Sequence, residues 1–181
     1  MIISEIALTQ PKAKTGQNSS YIVIRKCTEA DIDVIYEIIN DAAQAYCGVI
    51  PEDMWHDPYM SKAELIQELQ DGVVFWGMVE NDNLVAVMGM QDKVDVALIR
   101  HAYTKTEQRA KGIGSRLLEF LERETDKPIL VGTWADATWA ISFYQSNGYK
   151  LVSEKEKNQL LCDYWGISDR QIQTSVVLTK R

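Results

Sequence analysis

Only two histidines and three cysteines occur in this 181-residue chain, and 19 Lys and Arg are outnumbered by 26 Asp and Glu. Cys27, Cys47 and Cys162 are odd in number and widely scattered, so neither a disulfide framework nor a metal knuckle is indicated. They are expected to be small core or half-buried residues. The formal charge of −7 argues against nucleic acid as a partner, because phosphate binding needs a positive footprint. That acidity would draw in cationic acceptors, and it serves solubility equally well. No apolar run approaches the roughly eighteen residues of a membrane helix, and residues 1–20 lack the basic-then-apolar order of a secretory signal. A cytoplasmic protein without a membrane partner is expected, and no metal site.

What is present, 46% hydrophobic and 25% charged residues, suits one domain with a sizeable core. Residues 1–20 end in a polar stretch and are expected to be a flexible extension ahead of a folded domain at 21–181. Residues 21–25 alternate as a strand. Thr28 and Asp31 have the spacing of a capping box, and Ile32, Ile35, Ile38 and Ile39 form the apolar stripe of a helix running to about Tyr46. Ser61 and Glu64 repeat the box before a short helix ending at Asp71-Gly72. Strands are expected at 73–80 and 84–90, turned by Asn81-Asp82-Asn83, and at 94–104. A helix at 113–124, a strand at 128–134, a helix at 136–147 and strands at 149–153 and 173–179 complete the order. The long connection between the last two strands holds a helix around 155–164, which reads either as a pocket wall or as a surface packing helix.

The segment Gln108-Arg109-Ala110-Lys111-Gly112-Ile113-Gly114-Ser115 joins an expected strand to an expected helix. Glycines let the backbone curl around an anion, and the first amides of the following helix point at it unpaired. A P-loop is excluded, because Gly112 and Gly114 enclose only Ile113. The nicotinamide fingerprint is excluded too, since it needs three glycines at the first turn of a βαβ unit.

This segment resembles the Arg/Gln-x-x-Gly-x-Gly/Ala loop of the Gcn5-related N-acetyltransferase (GNAT) superfamily, with Arg109, Gly112 and Gly114 in those places. Downstream, Ala140-Ile141-Ser142-Phe143-Tyr144-Gln145-Ser146-Asn147-Gly148-Tyr149 is similar to the family's Ala-x-x-Phe-Tyr-x-x-x-Gly-Phe/Tyr helix and turn. The resemblance, over about residues 21–180, implies an α/β (α+β) fold. A mixed central sheet of about seven strands would splay between its fourth and fifth, flanked by four to five helices. It further implies acetyl-CoA as co-substrate, gripped at its pyrophosphate by Arg109, Ala110, Lys111, Gly112, Ile113, Gly114 and Ser115. A backbone amide near Tyr103 and Thr104 would hold the thioester oxygen.

The chemistry so implied is direct attack by a neutral amine on a thioester in a ternary complex. It needs a base, an oxyanion donor and an acid for the departing sulfur. Tyr144 falls on the family's tyrosine and is expected to be that acid. The strand positions that often hold a Glu or His in such enzymes fall on Leu98 and Arg100. His101 is adjacent, but strand alternation points it to the opposite face, as a structural histidine. Arg100 is expected either to grip an acceptor carboxylate or to form an ion pair on the sheet surface. His56 or a neighbouring carboxylate, in a loop with Trp55 and Tyr59 as aromatic walls, is the candidate base, with water-relayed deprotonation as the default route. Ala137 stands where the superfamily often has an Asn for the pantetheine arm, and Thr138 is expected to substitute. Trp134 and Trp139 are read as packing or acyl-pocket residues. The expected acceptor is a primary amine of a small molecule. A protein or peptide amine, and a non-catalytic acyl-CoA-binding module, are the alternatives, and a homodimer is left open.

Overall fold

The structure, a computed structural model, describes residues 21–180. The extension expected at residues 1–20 lies outside them. Among the described residues seven strands form one sheet: β1 (Ile22–Lys26), β2 (Val73–Glu80), β3 (Asn83–Asp92), β4 (Ala97–Thr104), β5 (Ile129–Trp134), β6 (Lys150–Leu151) and β7 (Ser175–Lys180). Their order is β1-β2-β3-β4-β5-β7-β6, antiparallel except where β4 meets β5. Six α-helices accompany them: α1 (Ile32–Ala43), α2 (Lys62–Gln70), α3 (Ile113–Glu122), α4 (Thr138–Ser146), α5 (Glu154–Tyr164) and α6 (Asp169–Gln173).

The helices cover both faces of the sheet. The isoleucine stripe of α1 (Ile35, Ile38, Ile39) packs with Leu65 of α2 against Val73, Phe75 and Val87. On the other face Leu117, Leu118 and Leu121 of α3 meet Met78, Met88, Ile99 and Val131. Strand β3 is therefore buried on both sides from Leu84 to Met88, which is why its sequence is continuously apolar and not alternating. A third, small cluster puts Leu160, Tyr164 and Trp165 over Val96, Leu98 and Leu130.

Local signals set most boundaries. Both expected capping boxes form, at Thr28/Asp31 and at Ser61/Glu64. The first opens a single 3₁₀ turn that α1 continues. Strand β4 begins three residues later than the sequence suggests, because Lys93 N–H closes a turn onto Val96 O and leaves Val94 98% exposed. Strand β6 is cut to two residues. The helix α6, capped by Ser168 and Gln171, adds to the number expected. Cys27 is half-buried, but Cys47 and Cys162 are exposed, which corrects the core placement expected for them.

Two irregularities position the site. Strands β4 and β5 pair only at Ala97, Leu98 and Ile99, after which they diverge. On its other side β4 loses register with β3 between the Gly89–Arg100 and Val87–Tyr103 pairs. His101 and Ala102 thus face a single residue, Met88, in a β-bulge, with His101 at φ 51°.

Candidate active site

The divergence of β4 from β5 opens a cavity of about 510 Å³. Its walls include Arg100 to Thr104 of β4, Val131 to Trp134 of β5, Gly114 of α3 and Phe143 and Tyr144 of α4. Lys105 N–H donates to Val85 O at 2.9 Å and Tyr103 pairs with Val87, so the alternating ladder turns the Thr104 N–H away from β3. It faces the gap that β5 leaves open.

At the outer end of the cavity the turn before α3 is shaped by two left-handed residues, Ala110 at φ 61° and Gly112 at φ 72°. Gly112 is the N-cap, and the first bond of α3 runs from Arg116 N–H to Gly112 O. The amides of Ile113, Gly114 and Ser115 therefore have no partner within the helix and point outward at its positive end. Gly114 also has a packing reason, since a Cβ there would come within 3.2 Å of the Phe143 ring. The Ile113 side chain is in the core. Arg109 reaches back to donate Nη2 to Ala42 O at 2.8 Å, and Lys111 Nζ donates to Gln108 Oε1 at 2.6 Å. The positive φ values, the free amides and the cavity behind them fit a pyrophosphate with a narrow arm attached.

The inner wall is aromatic. Tyr46 lies 6.3 Å from Tyr59, 6.5 Å from Tyr103 and 5.2 Å from Trp139, centroid to centroid. Burial and the neighbouring Tyr59 push the Tyr46 phenol up to about 12, against the hydrogen bond to Thr133. Tyr103 and Tyr144 are driven further up by burial, so both remain protonated. Tyr144 is 6% exposed and packs edge-on against Tyr149. Trp165 closes the β5 side, lying 3.3 Å from where a Gly132 Cβ would be. Leu161 of α5, Ile167 of the α5–α6 connection and Gln171 of α6 also line the wall, the pocket-wall reading of that insertion.

Several expected site residues fall elsewhere. His56 is exposed, outside the cavity wall, with Nδ1 2.7 Å from Pro58 O. Trp55 and His56 stack on the outer side of Tyr59, at 5.8 and 6.2 Å, and of the three only Tyr59 reaches the cavity. Thr138 is exposed at the start of α4, next to a fully buried Ala137. Arg100 lines the cavity, but its fork is engaged: Nη2 donates to Glu68 Oε1 at 2.8 Å and Nη1 to Gln91 Oε1 at 3.1 Å. It forms the expected ion pair, with one donor of each Nη engaged.

The expectation that His101 faces away from Arg100 is corrected by the bulge. His101 Nε2 lies 3.0 Å from Glu68 Oε2, so both residues reach the same carboxylate. Neither His101 Nε2 nor Glu68 Oε2 has another partner among the described residues, and the two form an ion pair only when the ring is protonated. Burial would raise the Glu68 carboxyl, but His101 and the charges of Arg100 and Lys93 outweigh it and hold it below its usual value. Glu68 and Tyr46 were not singled out from the sequence. Glu68 lies 32 positions from Arg100 and had no local signal.

A profile of the acetyltransferase (GNAT) domain family matches residues 27–162, and the chain belongs to that family. It is accordingly an acyltransferase of the N-acetyltransferase class. Among solved structures it is similar to the PaiA N-acetyltransferase of Thermoplasma acidophilum in complex with coenzyme A. The two are 20% identical, with 89% of this chain and 99% of that one covered, at a TM-score of 0.68. The ribosomal-protein-S18-alanine N-acetyltransferase of Escherichia coli is 16% identical over 88% of this chain and 92% of its own, at a TM-score of 0.61. A GNAT family acetyltransferase of Elizabethkingia anophelis with acetyl-CoA bound is 18% identical over 88% and 97%, at 0.57. At these identities the likeness establishes the shared fold. No protein among the curated sequences matches the chain.

Proposed function

We propose that the protein acetylates a primary amine of a small molecule by direct attack within a ternary complex, in the cytoplasm. The observation that carries this reading is the aromatic wall of Tyr46, Tyr59, Tyr103 and the partly exposed Trp139 in the cavity. An aromatic-lined chamber suits a small amine, which it can hold by stacking and cation–π contact, better than an extended peptide. No cysteine lines the cavity among the described residues, which supports direct transfer over a thioester on the enzyme.

Acetyl-CoA supplies the activated acetyl group. The amides of Ile113, Gly114 and Ser115 hold its pyrophosphate, with Arg109, Ala110, Lys111 and Gly112 shaping the turn that presents them. The outward-facing Thr104 N–H, beside Tyr103, stabilises negative charge on the acetyl oxygen. Tyr144, kept protonated by burial, donates its proton to the departing sulfur. Thr138 stands near the arm at the start of α4.

Free-thiol release from acetyl-CoA, measured across small amines, amino acids and peptides, tests the acceptor class. Small amines are expected to turn over fastest, and a preference for peptides would move the reading to a protein acceptor. Gly112→Val should weaken coenzyme A binding by tenfold or more, because a β-branched residue resists the left-handed turn. Unchanged affinity by calorimetry in the folded variant would remove the pyrophosphate from this turn.

A further inference from the structure

We propose that His101 is the catalytic residue that takes the proton from the acceptor's ammonium, with Glu68 of α2 as its positioning residue. This rests on the acetyl-transfer reading above. The bulge is the first observation. His101 is a non-glycine residue at φ 51°, an unfavourable conformation kept only where surroundings impose it and concentrated at functional sites. It sits where β4 leaves β5, in the wall of the cavity, with its side chain 16% exposed.

The surroundings of the ring are the second observation. Phe75 stacks on it at 6.0 Å, and Nε2 faces Glu68 Oε2 at 3.0 Å. Arg100 bonds the other Glu68 oxygen and is itself held by Gln91, so the carboxylate is anchored through Arg100. Lys93 acts on Glu68 at longer range, and Glu64 lies one turn earlier on α2. A carboxylate beside Nε2 favours the tautomer protonated there and leaves the Nδ1 lone pair to accept. No described residue bonds Nδ1.

In the step so assigned, one proton passes from the acceptor's ammonium to Nδ1, and Glu68 steadies the resulting imidazolium without itself being protonated. The freed amine nitrogen bonds the acetyl carbon as the carbon–sulfur bond breaks. Sulfur leaves with the electron pair of that bond and takes a proton from Tyr144; the acylated nitrogen releases its second proton, which through solvent restores the Tyr144 phenol, and the imidazolium returns its own proton to solvent.

The test is the pH profile of kcat/KM for the wild type, His101→Asn and Glu68→Gln, taken on whichever acceptor turns over fastest, with coenzyme A affinity measured alongside. Asn is chosen because it tolerates positive φ. His101→Asn is expected to lose about a hundredfold or more near neutral pH, the range of a general base, and to recover at alkaline pH where the acceptor is already neutral. Its coenzyme A affinity should stay level. Glu68→Gln should shift the acid limb to lower pH. A His101→Asn profile identical to that of the wild type, or a loss equal at every pH, would overturn the assignment. A wild type that binds acetyl-CoA yet releases no thiol with any acceptor would overturn acetyl transfer and the proton relay together.

Discussion

Arg109 donates its guanidinium to the carbonyl of Ala42, at 2.8 Å, across 67 positions of sequence. The turn before α3 is thereby tied to the C-terminal end of α1, and Thr106 N–H adds a second tie to Asp41 Oδ2 at 2.7 Å. Tyr46 of the aromatic wall follows directly from that end of α1, so the cradle and the acceptor wall share one support. Arg109→Ala should weaken coenzyme A binding about tenfold, in line with the ~1.5 kcal/mol of a lost charge-assisted bond. Arg109→Gln, which can still donate to Ala42 O, should lose much less. Equal affinities by calorimetry for the two variants would show that the tie does not shape the cradle.

Tyr144→Phe keeps the packing against Tyr149 and removes the proton. The expected outcome is a fall in kcat of about ten- to a thousandfold with coenzyme A affinity nearly level. Preserved turnover would make the tyrosine a packing residue and leave water to protonate the sulfur.

Arg100→Lys separates two roles. A free fork reading an acceptor carboxylate would produce a loss confined to carboxylated amines. With both arms engaged by Glu68 and Gln91, the loss should be similar for a carboxylated amine and its decarboxylated analogue. A selective rise in KM for the carboxylated acceptor would restore the specificity role.

Asp31 offers a test of stability against pH. Its carboxylate accepts two bonds from Arg25, each 2.8 Å, and one from Thr28 N–H. The Arg25 hydrogen bond, opposed by burial and helped by Thr28, holds the Asp31 carboxyl well below its usual range. A depressed folded value means stability that is present above about pH 4, the unfolded range, and lost as pH falls toward the folded value. Asp31→Asn should cost about 1 kcal/mol at pH 7, mostly the carboxylate's charge, since Asn can still accept from Thr28 N–H; the loss stays small because Arg25 is 42% exposed and the ion pair is screened. Denaturation curves should show that difference shrinking below pH 4. A difference constant from pH 7 to pH 3 would count against the charge.

The sequence by itself determined the order of the strands and of α1 to α5, because each rests on signals a few residues long. The Thr28/Asp31 and Ser61/Glu64 boxes start helices at their own positions, and the isoleucine stripe of α1 faces the sheet as its spacing requires. The glycine turn at Gly112 fixed the cradle in the same way, since a left-handed residue at a helix start is a local property. Tertiary structure decided the chemistry at the inner end of the cavity. Alternation along β4 predicts Arg100 and His101 on opposite faces, but one extra residue against Met88 cancels the rule from that point on. Whether Arg100 and His101 meet a carboxylate depends on where α2 packs, which is set by burial of Leu65 and Phe75 and not by any neighbour in sequence. The same holds for Trp165, a residue of the long connection that becomes a cavity wall only because Gly132 leaves room for its ring.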